Sequence, residues 1–175
     1  TKAFKLILKT PDETAGLSRD FKAAIYDSEQ DAWVVGLNRS AYESFMVQST
    51  NRALRQKLFN GYRLRASQGE RDNGPIAIEI AQLRAERASL MGYQSHAHYV
   101  LEYNMAKTPQ GAEDFLLRVW RPGLAQAKRE RADMQGLMGE TKFAAWDWWH
   151  LAEKLRLARY DLDENVTKPY FQLEN

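Results

Sequence analysis

Cysteine does not occur in these 175 residues. Its absence removes disulfide frameworks and thiolate chemistry, and it is compatible with any compartment. Nor does one sign of charge prevail. Lys+Arg 25 against Asp+Glu 23 leaves a formal net charge of +2, and the signs interleave along the chain, which argues against a dedicated nucleic-acid patch. No apolar run approaches the ~18 residues of a membrane span, and the opening TKAFKLILKT lacks the small-residue cleavage pattern of a signal peptide. There is no repeat at solenoid periods, no Gly/Ser-rich linker, and no nucleotide-binding glycine loop or G-x-S-x-G elbow. A soluble cytoplasmic protein is expected, with the periplasm left open.

What is present favours one ordinary domain with a hydrophobic core: 44% of the residues are hydrophobic and 11% aromatic. Helix signals dominate. Residues 18–28 suit a short amphipathic helix capped by Ser18. The stretch AWVVGL at 32–37 is the one candidate strand and has no obvious partner, so a lone extended segment is expected rather than a sheet. Ser40 reads as the cap of a second helix, and a third from about Thr50 carries Leu54, Leu58 and Tyr62 on one face. Its arginines, Arg52, Arg55, Arg63 and Arg65, read as a solvated face. Asn73 is the expected cap of a helix with Ile76, Ile80 and Leu83 at helical spacing and Gly92 as its left-handed C-terminal residue. Thr108-Pro109 opens another helix, expected to bury Phe115, Leu116 and Val119 and to bend at Pro122 near Trp120. The last long helix starts near Trp146, with Trp148, Leu151, Ala152, Leu155, Ala158 and Leu162 as its apolar stripe. The sum is an all-α architecture of about six or seven helices. Both ends read as cut: the first residue is Thr1, and KPYFQLEN places Tyr170, Phe171 and Leu173 at a terminus where polar residues are usual.

Residues with metal-binding chemistry are few. The chain has three histidines. His96 and His98 lie two apart, which on a helix sends them to different faces, while His98 and Glu102 share the i,i+4 spacing that puts two ligands on one face. Two ligands are fewer than the three or four that zinc requires. In HLAEK, His150 and Glu153 are likewise a half-site, and Lys154 stands where the H-x-x-E-H motif has its second histidine. An ordinary helix surface is the expectation for both. Adjacent helical positions diverge by about 100°, so Trp146, Trp148 and Trp149 cannot all face one core; they read as anchors in helix packing.

Taken in order, LRAERASLMGY at 83–93, NMAKTP at 104–109, WDWWHLAEKLRLARYDLDE at 146–164 and KPYFQL at 168–173 resemble the thimet oligopeptidase family of zinc metallopeptidases. The look is closest to its bacterial peptidyl-dipeptidases, or dipeptidyl carboxypeptidases. TKAFKLIL at 1–8, AGL at 15–17 and NRALRQKLFNGYRLRAS at 51–67 extend the resemblance over essentially the whole chain. Gly111 in a first helical turn and MGY in place of the commoner leucine-glycine-tyrosine are modest departures. The resemblance implies a mostly helical enzyme with a deep channel and one zinc held by an H-E-x-x-H helix and a further glutamate, acting on short peptides. No H-E dipeptide occurs in these residues, and in that family the zinc motif lies downstream of the segment matching KPYFQL. The expectation is therefore that residues 1–175 form a single helical fragment of such a peptidase, upstream of its zinc motif. It would hold no zinc, carry no catalytic or metal residue, be inactive alone, and pair with the missing catalytic half. Which residues would touch substrate is left unknown, and no nucleic-acid or membrane partner is expected. The cut end is expected either to fold back on its own helices or to join two copies as a homodimer. The alternative is a stand-alone helical binding module, for RNA through the Arg52–Arg71 region or for a protein through the aromatic end.

Overall fold

The computed structural model describes residues 4–160. The chain divides into two compact units, Thr1–Arg65 with Arg131–Asn175, and Ala66–Glu130. The architecture is mostly helical, with seven α-helices and one small sheet among the described residues.

The first unit opens with β1 (Leu6–Leu8), α1 (Arg19–Ile25), β2 (Tyr26–Asp27) and β3 (Ala32–Val35). Ser18 caps α1 as expected, accepting from the Phe21 N–H at 3.2 Å. The helix stops at Ile25, because Tyr26 and Asp27 leave it to pair antiparallel with Trp33 and Ala32. On the other side of β3, Leu6, Ile7 and Leu8 pair with Val35, Val34 and Trp33. The expected lone extended segment is thus the centre of a three-stranded sheet, and that expectation is corrected. Its two partners are strands of three and two residues, too short to show an alternating pattern.

Helix α2 (Arg39–Gln48) is capped by Asn38 rather than Ser40: the Asn38 side chain accepts from the Ala41 N–H at 2.9 Å. Ser40 lies inside the first turn and donates to Asn38 Oδ1 at 3.1 Å. Helix α3 (Arg52–Arg63) follows, with Asn51 as cap. Leu6, Leu8, Val35, Phe45, Met46 and Leu58 form the centre of the core, with Trp33, Leu54, Phe59 and Trp146 packed against it. Gly16 sits where α2 ends. Its φ of +85° is left-handed, and an added Cβ would lie 2.9 Å from Thr50 Cγ2 and closer still to the Gln48 carbonyl oxygen, so only glycine fits.

The second unit holds α4 (Gly74–Leu90), α5 (His96–Leu101) and most of α6 (Pro109–Gly136). Asn73 makes no side-chain cap; Asp72 instead accepts from the Gly74 N–H at 2.8 Å. Gly92, at φ +81°, closes α4 as expected, with Tyr93 N–H donating back to the Ala88 carbonyl at 2.9 Å. Thr108 accepts from the Gly111 N–H at 3.1 Å at the start of α6, which continues as one helix past Pro122, although that residue has no N–H to give the ladder. Here one expectation fails. Phe115, Leu116 and Val119 are 58%, 64% and 61% exposed, and within residues 66–130 only Ala88 is buried.

Back in the first unit, a single 3-10 turn at Ala145–Asp147 leads into α7 (Trp148–Tyr160). Leu151 is buried, Trp148, Ala152 and Leu155 are half-buried and Ala158 is exposed. Leu162, Tyr170, Phe171 and Leu173 lie outside the described residues, as does the expected fold-back of that end.

Candidate functional site

The residues singled out in the second unit are held by neighbours rather than by each other. Ser95 caps α5, and its Oγ lies 2.8 Å from His98 Nδ1. Glu102 accepts a short hydrogen bond from the Tyr93 hydroxyl, which with some burial pushes the Tyr93 phenol up to about 12. Tyr99 packs edge-on to Tyr93 at 5.2 Å, with the Arg87 guanidinium 5.0 Å from its ring centre. His96 and His98 are half-buried rather than solvated, and His96 Nδ1 is buried with no partner among the described residues.

His150 is also not on the surface. It is 7% exposed, with Nδ1 donating to the Val47 carbonyl of α2 at 2.9 Å. That carbonyl lies in the last turn of α2, where helices leave acceptors unused. Burial lowers the His150 pKa, and the nearby cations Arg55 and Lys154 lower it further, outweighing the Val47 bond. Its i+3 neighbour Glu153 is paired with Arg156 at 2.7 Å. A zinc ion does not fit this donor set: one imidazole nitrogen is committed to a carbonyl, the carboxylate to a guanidinium, and two cations stand close by. Among the described residues no three His, Asp or Glu side chains are grouped to hold a metal ion.

Sequence reading missed the strongest polar constellation. Arg52 and Arg55, three apart on α3 and so on one face, converge on Asp147, whose side chain is fully buried. Arg52 Nη2 donates to Oδ2 at 2.8 Å and Arg55 Nη2 to Oδ1 at 3.0 Å. The Ala144 N–H adds a bond to Oδ2 at 3.0 Å. Arg55, itself buried, spends its other donors on the Ser49 carbonyl at 2.8 Å and the Trp146 carbonyl at 3.3 Å. Arg52 Nη2 also reaches the Lys142 carbonyl at 3.0 Å, and its guanidinium lies 5.7 Å from the Trp146 ring centre. Burial pushes the Asp147 carboxyl up, but the Arg52 and Arg55 bonds and the Ala144 N–H together hold it below the usual carboxylate range. Two of the four arginines read as a solvated face are therefore turned inward. The signals lay in the sequence: a lone carboxylate inside WDWW, and the R-x-x-R spacing of α3. Both Asp147 oxygens are taken by Arg52, Arg55 and the Ala144 N–H, so the cluster fastens the start of α7 to α2 and α3 and leaves no free carboxylate for acid or base work.

The first unit also has an open groove of about 780 Å³ between α1, the β2–β3 turn and the start of α2, lined in part by Tyr26, Asp27, Glu29, Asn38 and Ser44. Asp27 is engaged by the Glu29 and Gln30 N–H groups and the Gln30 amide. The Tyr26 hydroxyl at its edge donates to Asp31 Oδ1 at 2.6 Å, which raises the Tyr26 pKa above its ordinary value.

The likeness of the chain to known proteins is one of sequence along its length. It is 30% identical over 99% of its length to "Probable cytosolic oligopeptidase A" of Arabidopsis thaliana, covering 27% of that protein. It is 31% identical to "Oligopeptidase A" of Salmonella typhimurium, with 86% of the chain and 23% of that protein aligned. To "Dipeptidyl carboxypeptidase" of Escherichia coli it is 29% identical, with 98% of the chain and 27% of that protein aligned. The chain spans about a quarter of the length of these curated relatives. The family model "Peptidase family M3" matches residues 45–175, and the chain belongs to that family.

Proposed function

We propose that this chain is a non-catalytic helical portion of an M3 zinc metallopeptidase of the oligopeptidase or peptidyl-dipeptidase type, whose substrates are short peptides cleaved by removal of C-terminal dipeptides. The observation that carries the reading is the alignment of nearly the whole chain with proteins named for oligopeptidase and dipeptidyl carboxypeptidase activity. In this reading residues 1–175 build scaffold and channel wall, and the zinc ligands and general base come from outside them. It is supported by the absence of an H-E dipeptide and by the inward use of His150, Arg55 and Asp147. The cytoplasm is the proposed compartment, in line with the name of the Arabidopsis relative. Among the described residues no helix is long and apolar enough to cross a membrane.

The test is to extend the polypeptide along its own reading frame. The longer protein should hold one zinc per chain after dialysis and release dipeptides from peptide C-termini, while residues 1–175 alone should do neither. A longer, folded protein without zinc or hydrolysis overturns the proposal.

A further inference from the structure

Two Asn-Gly pairs occur in the chain, Asn60-Gly61 and Asn73-Gly74. Before glycine, an asparagine side-chain carbon is open to attack by the next backbone nitrogen, because no Cβ obstructs the approach. The ring closes only when the asparagine ψ swings until that nitrogen lies beside Cγ, so a helix that fixes ψ protects the pair. Asn60 and Gly61 lie inside α3, where the Leu64 N–H donates to the Asn60 carbonyl at 2.9 Å and the neighbouring Leu58 is fully buried. Asn73 is exposed, stands just before the first residue of α4 and makes no side-chain cap hydrogen bond. There the swing releases two bonds at a helix end, from the Ala77 N–H to the Asn73 carbonyl at 2.9 Å and from the Asn73 N–H to the Ala66 carbonyl at 2.8 Å. They belong to a unit in which only Ala88 is buried, and exposed backbone bonds of that kind open at low free energy. A base is also in place. Asp72 Oδ1 accepts from the Gly74 N–H at 2.8 Å, whereas the Gly61 N–H, inside α3, faces a backbone carbonyl.

We propose that Asn73 is a site of spontaneous deamidation in the folded chain, with Asp72 accepting the Gly74 amide proton. The Gly74 nitrogen forms a bond to Asn73 Cγ as its proton passes to the Asp72 carboxylate. The Cγ–Nδ2 bond then breaks, and Nδ2 leaves as ammonia carrying that proton. Water opens the resulting five-membered imide at one carbonyl or the other, giving aspartate, or isoaspartate with one more methylene in the main chain. Either product places a new negative charge beside the unpaired N–H groups that open α4, whose first turn has no acidic residue. The change is irreversible and alters the head of α4 without touching the core of the first unit.

The second Asn-Gly pair is a control within the same molecule. The 175-residue chain is incubated at mildly alkaline pH, native or in concentrated urea, then digested with trypsin, which separates the two pairs into different peptides. Mass spectrometry follows the exchange of each side-chain NH2 for OH. In the native chain Asn73 should convert at least about tenfold faster than Asn60, and in urea the two rates should converge. Asp72→Ala should slow conversion at Asn73 several-fold and leave Asn60 unchanged. Gly74→Ala, whose Cβ screens the attacking nitrogen, should nearly abolish it. Equal rates in the native chain, a preference undiminished in urea, or an Asp72→Ala chain that converts at least as fast as the parent overturns the proposal.

Discussion

Asp147 is the buried charge around which two arginines of the first unit converge. Its carboxylate is sealed from water between Arg52 and Arg55, and removing one partner of a buried pair strands the other charge. Asp147→Ala should therefore cost about 3–5 kcal/mol in a urea melt, whereas Arg63→Ala, at an exposed position of the same helix, should stay within about 0.5 kcal/mol. Equal effects would mean that the clamp is not a clamp. His150 adds a pH signature. Its folded pKa lies below the ordinary 6.5, so beneath pH 6.5 the unfolded chain takes up a proton that the folded chain refuses, and stability falls as pH drops. Asp147, depressed below 3.8, contributes stability that is intact above that value and is lost as pH falls through its folded pKa. Urea midpoints should thus decline in two steps on acidification, and His150→Gln should remove the one that begins near pH 6.5. An unchanged profile in that variant would show that the imidazole does not titrate as its burial requires.

At the level of elements, burial divides the helices sharply. Leu58 of α3 is fully buried, whereas Leu116 of α6 is 64% exposed. Leu58→Ala should cost about 2–5 kcal/mol and Leu116→Ala no more than about 0.5 kcal/mol in the 175-residue chain, measured in parallel denaturant melts. The start of α2 offers a second contrast. Asn38→Ala removes the side chain that accepts from the Ala41 N–H and should cost about 1 kcal/mol; Ser40→Ala, whose hydroxyl only leans on that cap, should cost less. The reverse order would restore Ser40 as the cap. Ser18, Gly92 and Thr108 were legible because cap chemistry is local: the bonds of Ser18 and Thr108 and the left-handed φ at Gly92 involve residues within five positions. The sheet was not, because its register joins residues up to 29 apart, as Leu6 with Val35, and strands of two or three residues carry no period to read.

For the whole molecule, the two units should differ in local stability. The first has a continuous core around Phe45 and Leu58; the second has none among its described residues. Amides of α2 and α3 should exchange with solvent only through global opening, while those of α4 should exchange at much lower free energy. Uniform protection across both units in the 175-residue chain would contradict the burial pattern.

Helical class, several helix starts and family membership were written in the sequence, since apolar spacing and caps act over a few residues and family motifs keep their order along the chain. The fate of individual polar groups was decided in three dimensions. Arg55 and Asp147 are 92 positions apart and His150 and Val47 are 103 apart, so no window of sequence distinguishes an arginine facing water from one facing a buried carboxylate. Apolar stripes have the same ambiguity. Periodicity says that Leu58 and Leu83 each belong to a face meant for burial, but only tertiary packing decides that the first is covered within these residues and the second is left open.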